Sequence, residues 1–504
     1  MRTRGEKTTA KTEFGDWQTP FELAQLVCSI VSRRITPDLV LEPNCGKGAF
    51  LQAARIAFPQ AKRYIGLEIN IDYVQAALSL SSKDIEIIQG DFFVYNWKHY
   101  LDDTLGPILI IGNPPWVTNA ELMRIGSGNL PEKSNINGAN GIEAITGKSN
   151  FDISEWMLIK EVEALQGKNA LLAMLCKTAI ARKVVSFAWK NGLYFTDAEI
   201  RRIDAQKHFG VAVDACLMLV RFIPESDSSF GSCLVYDSLD SSKPSYKLGL
   251  HNGLVVSQLD VVKKYTKLIS DGPSEFCWRS GIKHDCSKVM ELKVLSGERL
   301  INGFGEIVDI EGDLLFPLLK SSDLANGRID RISRFMLVPQ HAIGEDTRLI
   351  ASLYPKTWHY LQSHIELFGK RKSSIYRDKP KFSIFGVGEY SFAAWKVAIS
   401  GLYKSLRFRV IGPYEGKPVV FDDTCYFLAF ESEREAVFIR DLLTSNACLE
   451  ILAAFVFWDS KRPITKDILS SIDIRGIAEF LGRVEELNNI LGRRHSSAQQ
   501  FSLF

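Results

Sequence analysis

Apolar residues along the first half of the chain switch repeatedly between two spacings, one helical and one strand-like. Residues 21–32 carry helical spacing and follow Thr19-Pro20, a capping residue and a proline suited to a first helical turn. Residues 38–42 form a short apolar run that predicts a buried strand, and 49–58 return to helical spacing. Strands are predicted again over 63–67, 85–89 and 107–111. A Gly-, Asn- and Ser-rich stretch over 118–150 reads as a long loop. A helix over 151–165, a buried strand over 170–175 and a last hydrophobic strand or strand pair over 211–222 complete the pattern. Strands alternating with helices predict an α/β domain on a mostly parallel sheet.

Beyond about residue 240 the spacing becomes irregular and mixed, and the Ser- and Asp-rich stretch 224–245 reads as a linker. The expected organisation is a disordered polar tail over 1–12, a first domain over 13–235, and a second, mixed α+β domain over 240–495. An amphipathic helix over 477–491 is expected to pack on the second. With 504 residues, 46% hydrophobic and 24% charged, the chain has ample core for two domains. A net charge of +2 gives no overall attraction to nucleic acid, so any basic surface must be local. Nine scattered cysteines, without a CxxC pair or a Cys/His cluster, predict neither a metal site nor a disulfide scaffold, and fit a reducing cytoplasm. No signal peptide is visible, and no apolar run reaches the ~18 residues of a membrane span.

Candidate chemistry collects where the predicted strands end. Gly46 and Gly48 lie in the turn between the first strand and the next helix, where a ligand can approach bare backbone at a helix N-terminus. Glu68 stands 20 residues after Gly48, a position suited to gripping a ribose diol. The third strand runs into Gly90-Asp91-Phe92-Phe93, where Asp91 can accept from an adenine amino group and Phe92 can lie against the ring. The fourth runs into Asn113-Pro114-Pro115-Trp116. Asn113 offers a side-chain carbonyl, and Pro114 a main-chain carbonyl with no N–H of its own. Two prolines stiffen the backbone, and Trp116 offers a flat stacking surface. Four successive strands thus end in Glu42, Glu68, Asp91 and Asn113, and open parallel sheets bind ligands at those ends.

Residues 14–20 (Phe-Gly-Asp-Trp-Gln-Thr-Pro), 42–51, 64–70, 90–92 and 113–116, in that order, resemble the gamma class of amino-group DNA methyltransferases, of the TaqI adenine type. The resemblance covers about the first 225 residues and lies in the joint pattern. It implies a Rossmann-like class I methyltransferase domain binding S-adenosylmethionine. It assigns Thr19, Glu42, Pro43, Asn44, Cys45 and Gly46 to the cofactor, together with Gly48, Glu68, Ile69, Asp91, Phe92 and Asn113. Catalysis falls to Asn113, Pro114, Pro115 and Trp116, with a flipped-out adenine stacked between Trp116 and Phe209. Asn113 and the Pro114 carbonyl would accept both amino hydrogens, aim the nitrogen lone pair at the sulfonium methyl, and use no metal or covalent intermediate. Positioning is then the main contribution. Cys45 is read as packing. Two positions depart from the usual pattern: Trp116 where Tyr or Phe is commoner, and Cys176-Lys177 where a proline is usual.

The second half is then expected to recognise the DNA target. Lys370, Arg371, Lys372, Arg377, Lys379 and Lys381, against one acid, Asp378, form a cluster able to contact phosphates. Segments 385–396 and 458–465 resemble pieces of the C-terminal regions of bacterial modification methyltransferases. No nuclease constellation is visible, so a cognate restriction endonuclease would be a separate chain. The expected function is N6-adenine methylation of duplex DNA in a restriction–modification or defence system. An RNA or protein-glutamine methyltransferase shares the Asn-Pro-Pro-aromatic site, and a non-catalytic nucleic-acid-binding scaffold is the non-enzyme alternative. Cytosine-specific enzymes usually carry Ser in the place of Asn113, which favours adenine.

Overall fold

The computed structural model describes residues 17–80, 84–117, 152–224, 232–270, 275–295 and 299–490. The expected tail over 1–12, residues 14–16 of the first motif and the expected loop over 118–150 lie outside the described residues. The chain divides into two units, Met1–Leu259 and Asp260–Phe504.

The first unit is built on one mixed sheet. Helix α1 (Phe21–Val31) buries Leu23, Ala24, Val27, Cys28 and Val31, one apolar face at helical spacing. Strand β1 (Leu39–Glu42) leads through the glycine turn to α2 (Ala49–Ala57) and β2 (Arg63–Glu68). Next come α3 (Ile71–Leu80), β3 (Ile85–Gln89), α4 (Trp97–Asp102) and β4 (Ile108–Gly112). Then follow α5 (Ile153–Ala164), β5 (Ala170–Lys177), α6 (Thr178–Lys190), β6 (Asp197–Asp204), α7 (Ala205–Phe209) and β7 (Asp214–Phe222). The last strands are β8 (Ser232–Tyr236), β9 (Tyr246–His251) and β10 (Leu254–Val256). The strand order is β10-β9-β8-β6-β7-β5-β4-β1-β2-β3. Strands β1 to β5 pair in parallel, whereas β7 runs antiparallel to both β5 and β6. Every residue of β1 and of β4 is buried, as expected for central parallel strands covered on both faces. From β1 the chain winds outward to β3, then returns to place β4 on the other side of β1. That reversal is the switch point at which such sheets bind ligands.

Two expectations about this unit need correction. The stretch 211–222 is not the last strand: β6 precedes it, and β8 to β10 follow. Strand β6 reads as polar, but its charges satisfy one another. Glu199 accepts from Arg201 at 2.6 Å and pairs with Arg34 at 2.8 Å, and the Arg201 guanidinium stacks 3.8 Å over the Tyr236 ring. The expected linker 224–245 holds β8, whose Cys233 and Val235 are buried and which pairs in parallel with β6. The first unit therefore runs to Leu259, beyond the expected boundary near 235.

The second unit is mixed α+β, with a four-stranded and a six-stranded sheet. The larger sheet includes β11 (Leu315–Leu319) and β12 (Arg334–Leu337), joined through helix α8 (Ser321–Asn326). The smaller includes β13 (Trp395–Ser400) and β14 (Arg409–Ile411), paired antiparallel. The expected single helix over 477–491 is broken: α9 (Ile474–Phe480) ends at Leu481, and Gly482 takes a left-handed φ of 69° before a second short helix over 484–490. Among the described residues no helix is long and apolar enough to cross a membrane, and no group of His, Cys, Asp and Glu is arranged to hold a metal ion.

Candidate functional site

At the carboxyl ends of β1, β2, β3 and β4 lies one cavity of about 1080 Å³, partly open to solvent. The four chemically suited strand-end residues Glu42, Glu68, Asp91 and Asn113 all line it. So do Thr19, Pro43, Asn44, Cys45 and Gly46, with Ile69 and Phe92 alongside. Pro115 joins the wall, whereas Gly48, Pro114, Trp116 and Phe209 do not. Tyr73 from α3 and Ile153 and Met157 from α5 also line it. They were not legible as site residues, because in the sequence each serves equally as one position of an amphipathic helix.

The glycine turn is held in shape by the acids around it. Glu68 accepts from the backbone N–H of Gly46 at 2.9 Å and of Asn70 at 2.8 Å. Gly46 and Gly48 take left-handed φ values of 51° and 84°, which glycine adopts without a Cβ clash. Gly48 acts as the N-cap of α2, so its part is to make the turn rather than to form the cavity wall. The Gln18 side-chain oxygen, Oε1, accepts from the Lys47 N–H at 3.2 Å and lies against Gly46, where a Cβ would come within 2.8 Å of it. Glu42 is fully buried and accepts from the Leu51 N–H at 3.2 Å. Burial, and secondarily the neighbouring Glu68 charge, holds its carboxyl well above the usual carboxylate range despite that hydrogen bond. Burial, with the charges of Glu42 and Glu68, pushes the Cys45 thiol up, which leaves it unsuited to act as a nucleophile and agrees with a packing role.

Asn113 is oriented from outside its own motif. Its amide nitrogen donates to the Trp17 carbonyl at 2.9 Å and to the Thr19 hydroxyl at 3.2 Å. A main-chain carbonyl only accepts, so the nitrogen must face Trp17 and the side-chain oxygen must face away. That oxygen, Asn113 Oδ1, is buried with no hydrogen-bond partner among the described residues. Asn44 Oδ1 is in the same condition on the same cavity wall. Buried acceptors without donors are costly and rare in folded proteins. The two oxygens, together with the bare backbone of the turn, fit a ligand that brings N–H groups into the cavity. They make S-adenosylmethionine, with its ammonium and adenine amino groups, a fitting occupant.

Asp91 turns inward to cap its own loop, accepting from the Phe93 N–H at 2.9 Å. Phe92 is buried against Trp97, whose indole N–H donates to the Phe92 carbonyl at 2.9 Å. Phe92, Val117, Ile153 and Met157 belong to one small apolar cluster, which gives the cavity a hydrophobic side.

Trp116 and Phe209 do meet, but they do not form the two walls of an open slot. Their rings touch edge to face, 5.2 Å between centroids at 69°, and the residues are only 5% and 9% exposed. A base has no room between rings at that distance. In this structure they form a packed pair in which Phe209 backs Trp116 edge-on. Strand β5 holds the tryptophan from two sides: its indole N–H donates to the Leu175 carbonyl at 3.4 Å, and its own carbonyl accepts from Lys177 Nζ at 3.0 Å. Lys177 is paired with Asp152 at 2.6 Å, the N-cap of α5. Lys177 stands where the resemblance leads one to look for proline, and that departure was the only signal of its role.

In the second unit the expected phosphate-binding cluster divides. Lys370, Lys372, Arg377, Lys379 and Lys381 are exposed. Arg371 is not free for DNA: its guanidinium donates to the carbonyls of Ser383 at 2.7 Å, Lys381 at 2.8 Å, Phe368 at 3.2 Å and His284 at 3.3 Å. It also stacks 3.7 Å over the Tyr376 ring, so it holds the loop together.

No protein-family model matches the chain. It is 46% identical over 481 residues to the Type II methyltransferase M.NspV of Nostoc sp., covering 94% of this chain and 99% of that one. It is 32% identical over 108 residues to the Type II methyltransferase M.CvrRI of Paramecium bursaria Chlorella virus XZ-6E, covering 21% of this chain and 26% of the other. Among solved structures, the Type IIL restriction–modification enzyme MmeI in complex with DNA aligns with a TM-score of 0.54 at 13% identity, covering 93% of this chain and 67% of that one, a likeness of fold. The cavity at the switch point and the full-length identity to M.NspV agree, and the chain belongs to the Type II methyltransferases of restriction–modification systems, S-adenosylmethionine-dependent DNA methyltransferases.

Proposed function

We propose that this enzyme methylates the exocyclic N6 amino group of adenine in duplex DNA, at one target sequence. The observation that carries the reading is the Asn113 amide, whose nitrogen is committed to Trp17 and Thr19 while its buried oxygen has no partner. An acceptor held in that way suits an amino group with hydrogens to donate. Asn113 Oδ1 takes one hydrogen, and the Pro114 carbonyl, unopposed by an N–H of its own, takes the other. With both N–H bonds fixed, the nitrogen lone pair is turned out of conjugation with the ring. S-Adenosylmethionine, when bound, supplies an electrophilic methyl group. Glu68, Asp91, Phe92, Asn44 and the glycine turn hold the cofactor in this reading, and Asn44 Oδ1 accepts from its ammonium. Once methylated, the nitrogen carries a positive charge and sheds one hydrogen as a proton to solvent, while the sulfonium departs as a neutral thioether; no residue needs to act as a shifted general base, and alignment supplies most of the barrier reduction.

A base inside a duplex cannot reach a cavity at a sheet edge, so the target must flip out, at a cost of a few kcal/mol. Trp116 carries the stacking, with Phe209 bracing it edge-on, and base entry uncovers a ring that is otherwise buried. The second unit, with its exposed Lys370, Lys372, Arg377, Lys379 and Lys381, serves as the target-recognition domain. We place the enzyme in the cytoplasm, with any companion restriction endonuclease on a separate chain. The test is digestion of treated DNA to nucleosides after incubation with S-adenosylmethionine. N6-methyladenine supports the reading; N4-methylcytosine, or label only in RNA or protein, refutes it.

A further inference from the structure

The six-residue helix α8 ends at Gly327, in the left-handed conformation with φ 71°. Two sets of arginines flank that end: Arg328, Arg331 and Arg334, running from the helix into the start of β12, and Arg407 and Arg409, just before and at the start of β14. Arg409 donates to the Leu324 carbonyl at 3.3 Å and Arg407 to the Ala325 carbonyl at 3.5 Å, so both are held by the last carbonyls of the helix. Gly327 permits this approach, since a Cβ there would lie 3.1 Å from the Arg409 guanidinium. On the other side the buried carboxylate of Asp323 pairs with Arg334 and lies 3.6 Å from Arg328. Arg328, Arg331 and Arg334 line a pocket of about 540 Å³, partly open to solvent, whose lining does not include Arg407 or Arg409.

Against five guanidiniums the helix and the loop after it offer two carboxylates, Asp323 and Asp330. Like charges brought together in this way repel one another in the free protein. Each guanidinium has five donors, and the hydrogen bonds above leave most of them unused. Arg331 and Arg407 are exposed. Planar forks of this kind match the paired oxygens of a phosphate diester, which a hydrated lysine ammonium matches less well.

We propose that the arginines at the end of α8, those of the pocket anchored by Asp323 and those held on the last helix carbonyls, bind the phosphodiester backbone of DNA. The inference rests on the DNA reading of the preceding subsection and adds a second phosphate-binding surface to the exposed lysines near residue 372. Its consequence is electrostatic and independent of sequence: each arginine that meets a phosphate contributes about one unit to the salt dependence of binding.

The probes are two fluorescein-labelled duplexes, one carrying the sequence that the wild-type enzyme methylates and one unrelated. Binding is followed by anisotropy over a series of salt concentrations for the wild type and for Arg331→Ala, Arg407→Ala, the double variant and Arg331→Lys. Titration with S-adenosylmethionine, read by intrinsic tryptophan fluorescence, checks the first unit of each variant, and circular dichroism with a thermal melt checks that the second is folded. The expected result is weaker binding to both duplexes, with the salt slope shallower by about 1 for each alanine and by about 2 for the pair, while Arg331→Lys keeps the slope. Unchanged affinity and slope in the double variant, with wild-type cofactor binding, overturns the proposal. So does weakening confined to the methylated sequence with the slope unchanged, which is the behaviour of a base-edge contact. A wild type that transfers no methyl to DNA overturns the underlying reading instead.

Discussion

At the scale of single residues the site rests on side chains whose polar atoms are fixed by partners outside the motif. Lys177 is one of them, joining the Trp116 carbonyl to the α5 N-cap Asp152. It is a positioning residue. Lys177→Met is expected to slow single-turnover methyl transfer by about tenfold to a hundredfold, the scale on which small misplacements act, with cofactor affinity unchanged. Lys177→Arg is expected to recover part of the rate, and an undiminished rate in the Met variant would remove the role. Glu42 makes a different prediction. Its folded pKa is raised by burial above the unfolded value, so the folded state holds the proton more tightly. The contribution to stability is full below the unfolded value near 4.5 and is lost as pH rises toward the folded pKa. Glu42→Gln keeps an acceptor for the Leu51 N–H and removes that loss. The melting temperature of Glu42→Gln should therefore gain on the wild type from pH 5 to pH 8. A constant difference across that range would contradict a raised pKa.

At the scale of elements, the first unit was legible wherever a short apolar run ends at a turn, even in β3, which lies at the end of the sheet and is only partly buried. Strand β3 has the predicted bounds, and β1, β2 and β4 differ from theirs by a residue at one or both ends, because a continuous apolar run ending at a turn has few other readings. Strand β6 was missed because its Glu199 and Arg201 are satisfied by a tertiary network that single-sequence spacing does not reveal. The terminal helix was extended across Leu481-Gly482 because one glycine inside a helical pattern is tolerated often enough to be read through. The close fit of β2 to the cofactor loop is itself testable. A Cβ on Gly66 would lie 2.7 Å from Leu51 Cδ1 and 2.9 Å from Cys45 Sγ. Gly66→Ala is expected to destabilise the protein by about 1–3 kcal/mol through overpacking. Urea denaturation should show a lower midpoint with an unchanged slope. A wild-type midpoint would mean that the turn moves aside without cost.

At the scale of the whole molecule, sequence and structure disclose the two halves unequally. Site residues of the first unit could be named because strand ends, glycine turns and an Asn-Pro-Pro-aromatic run couple local pattern to ligand geometry. The second unit has no such coupling. Its basic surface depends on which guanidiniums are used internally, as Arg371 is, and which the fold leaves exposed beside one short helix, as Arg331 and Arg407 are. A run of positive charge in the sequence does not distinguish the two. The pairing of Trp116 with Phe209 was visible as a partnership, whereas its edge-to-face geometry was not. The central claim is that Asn113 accepts from an adenine amino group at a cofactor site that stands without it. It is tested most directly by comparing the wild type with Asn113→Ala, measuring S-adenosylmethionine binding by calorimetry and N6-methyladenine in treated DNA by mass spectrometry. The result expected is N6-methyladenine from the wild type, and in the variant cofactor affinity within a few-fold of wild type with product reduced by a hundredfold or so, about 2.7 kcal/mol of transition-state stabilisation. Undiminished N6-methyladenine in Asn113→Ala, or a wild type whose only methylated nucleoside is a cytosine, would contradict it.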